Sequence, residues 1–451
     1  MTGISQNLTS GPLARQIFFF SLPLAASNLL QVLFNMADLM VVGRFAGPEA
    51  LGSVGSTTTL VVLFTGFLIG MGSGANVLIA RYFGAGDRRS LRETVQTAAI
   101  VCLAAGCIVL AAGAIFSKPL LALLGTKEEL IGGAELYLRI YFLGMPAMAL
   151  YNFGNAVFSA IGNTKKPLLY LSTAGVLNIL LNLFFVMVCR LSVLGVALAS
   201  VLSQYLSAGL IVGALLRSRE SYALKLSGIR LYPAKCRKLL ALGLPAGLQN
   251  AIFQIANLFI QAGVNSFDAV VVEGNSAAAN SDGIVYDVMA AFYTACTSFM
   301  GQNFGARKKS RVLRSYFISL GYSFGAGALL GLSLAVFSQP FLGLFTTEAA
   351  VIQAGTHRLV VMGLSYGLSA FMDCSIAASR GLGKTLAPTV IVILGSCVLR
   401  IIWVHTVFAY FHTILSLYLV YAFTWTVTSI AELIYFAHCY RTQTACLPAD
   451  S

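Results

Sequence analysis

The chain has 451 residues, of which 58% are hydrophobic and only 10% are charged. Soluble domains carry about 25% charged residues, so this composition excludes an ordinary soluble protein. The net charge of +13 would suit a nucleic-acid-binding protein. However, the basic residues lie in loops between apolar runs, so we expect no nucleic-acid partner.

Apolar runs long enough to cross a hydrocarbon core of about 30 Å recur along the whole chain. Only a helix satisfies all the backbone polar groups of a single membrane segment, so each run predicts a helix. The twelve predicted spans are 15–42, 50–81, 94–116, 130–158, 168–189, 193–216, 239–264, 276–304, 314–337, 350–378, 388–410 and 413–439. The predicted fold is therefore an all-α integral membrane protein with twelve transmembrane helices.

One long polar stretch, 217–238, divides the chain into two halves of six spans. We predict an N-terminal six-helix bundle over 1–216, a cytoplasmic linker over 217–238, and a C-terminal six-helix bundle over 239–451. Because six is even, both halves enter the membrane from the same side. A pseudo-twofold axis along the membrane normal is then expected to relate the two bundles.

The two halves repeat one another at a nearly constant spacing. Phe83-Gly84-Ala85 recurs as Phe304-Gly305-Ala306, and Leu22-Pro23 recurs as Leu244-Pro245. Many secondary transporters are built from two matched halves, with the substrate site where the halves face each other. The repeat therefore predicts transport by alternating access.

Lysine and arginine concentrate in alternate loops. The loops after the second, fourth and eighth predicted spans and the 217–238 linker hold most of them. The intervening loops hold few, with Arg358 counted among these few. Cytoplasmic loops carry an excess of Lys and Arg, so both termini are predicted to be cytoplasmic in a multi-pass protein of the cell membrane.

Asp38 is the first candidate functional residue, because a charged group inside a membrane span is costly and is retained mainly for function. Its repeat counterpart, at the offset that relates Pro23 to Pro245, is Ile260. A carboxylate present in only one half is not part of the shared scaffold. It can bind and release a proton or hold a sodium ion, although a structural hydrogen-bonded Asp is the alternative.

Asn178 and Asn182 lie one helical turn apart on the fifth predicted span, so they share a face. We expect them to hydrogen-bond to Asp38 or to supply oxygen atoms to a coupling ion. Simple bonding between helices is the alternative. Asp38, Asn178 and Asn182 are therefore the predicted coupling-ion residues.

Further acidic and aromatic residues in the second half are candidates for lining a substrate cavity. They are Asp282, Asp287, Asp373, Tyr286 and Tyr366. The nine cysteines form no CxxC pair, and no metal-ligand set, paired acid–base motif or nucleotide loop is evident. We therefore expect no resident metal or cofactor and no enzyme.

Several motifs resemble those of the multidrug and toxic compound extrusion (MATE) family, and the resemblance covers nearly the whole chain. The motifs are Asn35-x-x-Asp38-x-x-x-x-Gly43-Arg44, Gly47-Pro48-Glu49-Ala50-Leu51, Ala80-Arg81-Tyr82-Phe83-Gly84-Ala85-Gly86-Asp87, Gly301-Gln302-Asn303-Phe304-Gly305-Ala306 and Arg380-Gly381-x-Gly383-Lys384-Thr385. The resemblance implies twelve helices in two bundles and multidrug efflux coupled to protons or sodium ions.

The resemblance also implies roles for individual residues. Asp38 matches the first-helix Asp that takes part in coupling, and Asn178 matches the family's fifth-helix Asn. Asn182 stands where many members have an Asp, which removes a second titratable group.

We therefore expect a monomeric antiporter in the lipid bilayer that exports amphipathic or cationic organic compounds. The coupling ion, proton or sodium, is left open. The alternative function is a flippase for a lipid-linked precursor, which would need a strongly cationic cavity.

Overall fold

The computed structural model describes residues 7–225, 227–445 and 447–448. The described residues form helices and contain no strand, which confirms the predicted all-α class. The helices are α1 (Leu13–Phe45), α2 (Pro48–Gly84), α3 (Arg88–Leu123), α4 (Glu128–Leu143), α5 (Met145–Ala160), α6 (Lys165–Leu183), α7 (Ser192–Arg217), α8 (Pro233–Val264), α9 (Ala269–Gly305), α10 (Lys309–Val336), α11 (Ser338–Leu342), α12 (Ala349–Gly381), α13 (Leu386–Val392), α14 (Leu399–Trp403), α15 (Ala409–Phe411) and α16 (Ile414–Thr444). π-helical turns continue α6, α13 and α14 and are Phe184–Val188, Ile393–Val398 and Val404–Phe408.

Each of the twelve predicted spans corresponds to a helical segment. Within the described ranges, ten segments are long and apolar enough to cross a membrane. The predicted span 130–158 is the pair α4 and α5, which meet at Gly144 because Pro146 cannot continue the hydrogen-bond ladder of α4. The eighth span is α9, which has 37 residues and several acidic and amide side chains. The prediction of twelve membrane helices in two bundles is confirmed.

The chain divides into two compact units whose borders lie within α1 and α8. The first unit contains Ala26–Ala251, and the second contains Asn7–Ala25 together with the chain from Ile252 onward. α1 and α8 therefore each contribute one part to each unit. The 217–238 linker lies within the Ala26–Ala251 part of the first unit, and the predicted division into 1–216 and 239–451 stays a prediction.

The connection between α7 and α8 packs into the core of the first unit. Tyr222, Ala223 and Leu224 are buried, and the Tyr222 ring lies 6.4 Å from that of Phe158. The backbone N–H of Tyr232 donates a hydrogen bond of 3.2 Å to Thr97 Oγ1. These contacts hold the linker to the ends of α3 and α5.

The residues before α1 are anchored to the second unit. Leu8 is fully buried, its N–H donates to Gln302 Oε1 at 3.1 Å, and its carbonyl accepts from Asn303 Nδ2 at 3.3 Å. Lys308 Nζ donates to the Thr9 carbonyl at 2.7 Å. The N-terminal part of the chain is thus fixed to α9 and the start of α10.

Small residues allow close approach of helices inside the second unit. A Cβ added to Gly274 on α9 would lie 2.7 Å from the backbone nitrogen of Gly355 on α12, and one added to Gly355 would lie 2.8 Å from the Gly274 oxygen. Close backbone contact of this kind supports helix association where there is no hydrophobic gain. Both positions therefore exclude a side chain.

We predict that Gly274→Ala lowers the melting temperature of the purified protein in detergent. The added methyl group would force α9 and α12 apart, and overpacking costs about 1–3 kcal/mol. The matched control is Gly283→Ala on the same helix, where a Cβ meets nothing within 4 Å. Equal melting temperatures for the two variants would contradict the close-packing interpretation.

Candidate functional site

The Asp38 carboxylate of α1 lies inside the first unit and is 7% exposed. Asn182 Nδ2 of α6 donates a hydrogen bond to Asp38 Oδ1. Ser200 Oγ of α7 donates to Asp38 Oδ2 at 3.2 Å. Three helices therefore meet at one buried acid, and each carboxylate oxygen has one partner.

Asn178 completes a cluster that we call the Asp38 site, which consists of Asp38, Asn178, Asn182 and Ser200. Asn182 Nδ2 also donates to Asn178 Oδ1 at 3.2 Å. Asn182 Oδ1 is buried and has no hydrogen-bond partner among the described residues. The structure therefore brings together all three residues predicted to act on the coupling ion.

The donor set of the Asp38 site fits a small monovalent cation. A carboxylate, two amide oxygens and a hydroxyl are hard oxygen ligands of the kind that bind Na⁺ or accept a proton. The unpartnered Asn182 Oδ1 is an oxygen left available for this purpose. The described chain has no group of three or more His, Cys, Asp and Glu that would hold a metal ion.

Two phenol rings of α4 lie beside this site. Tyr137 and Tyr141 are buried and stack with ring centroids 5.7 Å apart. Both interact electrostatically with Asp38. Buried rings beside a carboxylate lower the local dielectric constant, and a lower dielectric constant strengthens interactions of the carboxylate with ions.

Ser200 was not among the residues predicted from sequence. The available signal was a row of polar residues on one face of α7, in which Ser200, Ser203, Gln204 and Ser207 follow a spacing of three and four residues. That spacing identifies a polar face. It does not identify the member that meets α1, which depends on how the helices pack.

In the second unit, Asp282 of α9 forms an ion pair with Arg358 of α12. Tyr366 OH also donates to Asp282, and Arg358 Nη1 donates to Asn275 Oδ1 at 2.6 Å. Arg358 was counted from sequence among the loop residues, but the structure places it inside α12 and buries it. The pair with Asp282 compensates the cost of burying its charge.

Asp373 belongs to a different group in the same unit. It interacts electrostatically with Tyr286 and Arg380, and Arg380 interacts with Glu432 of α16. Neither carboxylate oxygen of Glu432 has a hydrogen-bond partner among the described residues. Sequence analysis did not select Glu432 as a cavity residue.

The five candidate cavity residues thus fall into two groups. Asp282 and Tyr366 share the Arg358 cluster, whereas Tyr286 and Asp373 lie with Arg380. Asp287 is near the second group through Tyr293. A role for any of the five in lining a substrate path stays a prediction.

The fold and the Asp38 site define the class of this protein. A repeated set of membrane helices with buried ionisable side chains is typical of a secondary transporter. The MatE family model matches the chain twice, over residues 23–184 and 245–406, so the two matches are related by the same offset as Pro23 and Pro245. The chain therefore belongs to the MatE family, whose members are cation-coupled membrane transporters and not a class of enzyme.

Similar proteins cover nearly the same length. The probable multidrug resistance protein YpnP of Bacillus subtilis is 28% identical over 400 residues, which are 87% of this chain and 88% of that protein. The FAD transporter of Shewanella oneidensis is 27% identical over 368 residues, 80% of each chain. A crystal structure of MATE in the bent conformation has a TM-score of 0.90 at 20% identity over 99% of both chains. This last likeness shows the fold.

We predict that Ser200→Ala lowers the melting temperature of the protein more than Ser203→Ala does. Ser200 Oγ bonds Asp38 across helices, whereas Ser203 Oγ bonds only Ala199 O in its own helix at 2.7 Å. Hydrogen bonds to a charged group contribute roughly 1.5–3 kcal/mol. Thermal unfolding in detergent measures the difference, and equal losses in the two variants would argue against the bond to Asp38.

Proposed function

We propose that this protein is an antiporter that exports amphipathic organic compounds, cationic ones included, by alternating access coupled to a proton or sodium gradient. The observation that carries the proposal is the Asp38 site: a buried carboxylate held by neutral partners on two other helices. Ile260, the repeat counterpart of Asp38, lies in an apolar cluster with Phe408 and Leu417. The second unit thus has a packed core where the first has an ionisable group.

The proposed cycle depends on the charge of Asp38. The other members of the Asp38 site are neutral, so an ionised Asp38 gives the site one negative charge. Binding of one proton or one sodium ion cancels that charge. Moving one charge through about 100 mV is worth roughly 2.3 kcal/mol, which is sufficient to bias two conformations that differ in energy by a similar amount.

Asn178, Asn182 and Ser200 would serve the two candidate ions differently. For sodium, their oxygen atoms supplement the carboxylate as ligands. For a proton, the amide and hydroxyl donors stabilise the ionised carboxylate and must rearrange when it becomes protonated. Because Asn182 replaces the Asp found in many members, the site holds one carboxylate, and we propose one monovalent cation per cycle.

Topology and assembly are part of the proposal. We place both termini and the 217–238 linker in the cytoplasm, on the distribution of Lys and Arg, and the protein in the cell membrane. One chain supplies the whole Asp38 site, which supports transport by a monomer. The names of the relatives, a multidrug resistance protein and an FAD transporter, support small organic substrates and do not favour a flippase for lipid-linked precursors.

We predict that Asp38→Asn reduces gradient-driven export by about tenfold or more, because coupling of one charge to the membrane potential is lost. The measurement is transport of a fluorescent cationic dye by proteoliposomes under an imposed proton gradient or an imposed sodium gradient. The gradient that drives dye transport by the wild-type protein, proton or sodium, identifies the coupling ion.

The matched control is Asp87→Asn. Asp87 caps α3 by accepting a hydrogen bond of 3.0 Å from Ser90 N, and Asn caps a helix as well as Asp does. This variant should transport as the wild type does. Gradient-driven transport that is equally fast in Asp38→Asn would overturn the coupling role, and dye transport by neither gradient would overturn the proposed driving force.

A further inference from the structure

Arg400 of α14 is a fully buried guanidinium in the second unit. Its Nη1 donates to Asn257 Oδ1 of α8 at 2.7 Å. Its Nε and Nη2 are buried and have no hydrogen-bond partner among the described residues. Arginine stays protonated in proteins, so these are charged donors without an acceptor.

Arg400 also has no counter-charge in the described part of the chain. The ion pairs found there do not include it, and the groups that interact with it electrostatically are Tyr286, Tyr421 and Cys397. Arg358, the other buried guanidinium described above, has Asp282. A buried charge without a partner is strongly unfavourable, so an anion is the missing component.

Aromatic rings surround the guanidinium. Its Cζ atom lies 4.5 Å from the ring centroid of Phe253 and 4.8 Å from that of Tyr421. The ring of Trp425 lies next to these, with its centroid 5.5 Å from that of Tyr421 and 6.2 Å from that of Tyr286. Trp425 Nε1 is a further buried donor without a hydrogen-bond partner in the described chain. The surroundings therefore combine surplus donors with flat apolar faces.

The direct neighbours of the guanidinium are partly exposed. Phe253, Asn257 and Tyr421 are each only half-buried. All three contact the guanidinium, so they are the side chains past which a ligand would reach the unpartnered Nε or Nη2. A flat ligand could then place an acidic group on Arg400 and its ring against the aromatic faces.

We propose that Arg400 is the anion-binding residue of a substrate subsite, which takes the carboxylate, sulfonate or phosphate group of an aromatic compound. As a substrate subsite it rests on the export function proposed above, whereas its affinity for anions does not. An inorganic halide offers the same charge without a ring. The experiment therefore separates these two sources of the anion.

Trp425 provides a direct probe of binding. The chain has two tryptophans, so Trp403→Phe leaves Trp425 as the only one. We expect 4-nitrobenzoate to quench its fluorescence saturably in the detergent-purified protein. The neutral 4-nitrobenzamide should bind about tenfold more weakly or worse, because a charge-assisted hydrogen bond is lost. Equal affinity for the acid and the amide would overturn the proposal. Saturable quenching by iodide, with an affinity equal to that of 4-nitrobenzoate, would overturn it as well.

Two variants test Arg400 itself. Arg400→Gln removes the charge, and Asn257→Asp supplies an internal carboxylate 2.7 Å from the guanidinium. Both should weaken 4-nitrobenzoate binding about tenfold or more, and Asn257→Asp should do so without lowering the melting temperature. If Arg400→Gln does not fold, Asn257→Asp alone decides, and unchanged affinity in that variant would refute the proposal.

Transport separates this inference from the proposed function. If the wild-type protein binds 4-nitrobenzoate but exports neither it nor a cationic dye under any gradient, the anion-site proposal is supported and the proposed export function is refuted. If the protein exports the dye but does not bind 4-nitrobenzoate, the proposed export function is supported and the anion-site proposal is refuted. Full support requires binding together with gradient-driven export of 4-nitrobenzoate, both weakened by Asn257→Asp.

Discussion

A helix that crosses a membrane satisfies its own backbone, but a buried charged side chain on it is stabilised mainly by partners on other helices. In the first unit Asp38 of α1 joins α6 and α7, because Asn182 and Ser200 donate hydrogen bonds to its carboxylate oxygens. In the second unit Arg358 of α12 is drawn to Asp282 of α9 in the same way. These few contacts decide which helix faces meet, since apolar side chains gain little by leaving lipid for protein.

The helices could be predicted from sequence because each depends mainly on its own segment. Their ends could not be placed as well, since helices continue past the apolar core: α8 begins at Pro233 and α9 at Ala269, several residues before the predicted spans. The break at Gly144 was missed although Pro146 follows it. The compact units also differ from the repeats, because packing rather than the polar linker decides where α1 and α8 divide.

Prediction of the site succeeded where local geometry was sufficient. Asn178 and Asn182 share a face by spacing alone, and the structure places that face against Asp38. Ser200 required knowledge of how α7 packs on α1, which no pattern in α7 contains. Arg358 was counted with the loops because a basic residue near the end of an apolar run usually faces water. Its carboxylate partner, Asp282, lies on a different helix, so no local pattern around Arg358 could reveal the pair.

The two units use the same pair of repeat positions for opposite charges. Asn178 and Arg400 are related by the same offset as Asp38 and Ile260. At these two positions the first unit thus has a carboxylate on α1 and an amide on α6, whereas the second unit has an apolar side chain on α8 and a guanidinium on α14. A carboxylate loses its charge when it binds a proton or a cation, but a guanidinium keeps its charge at any physiological pH. Within our proposals, Asp38 can therefore respond to an ion gradient, whereas Arg400 presents a constant positive charge that selects substrates by their acidic groups.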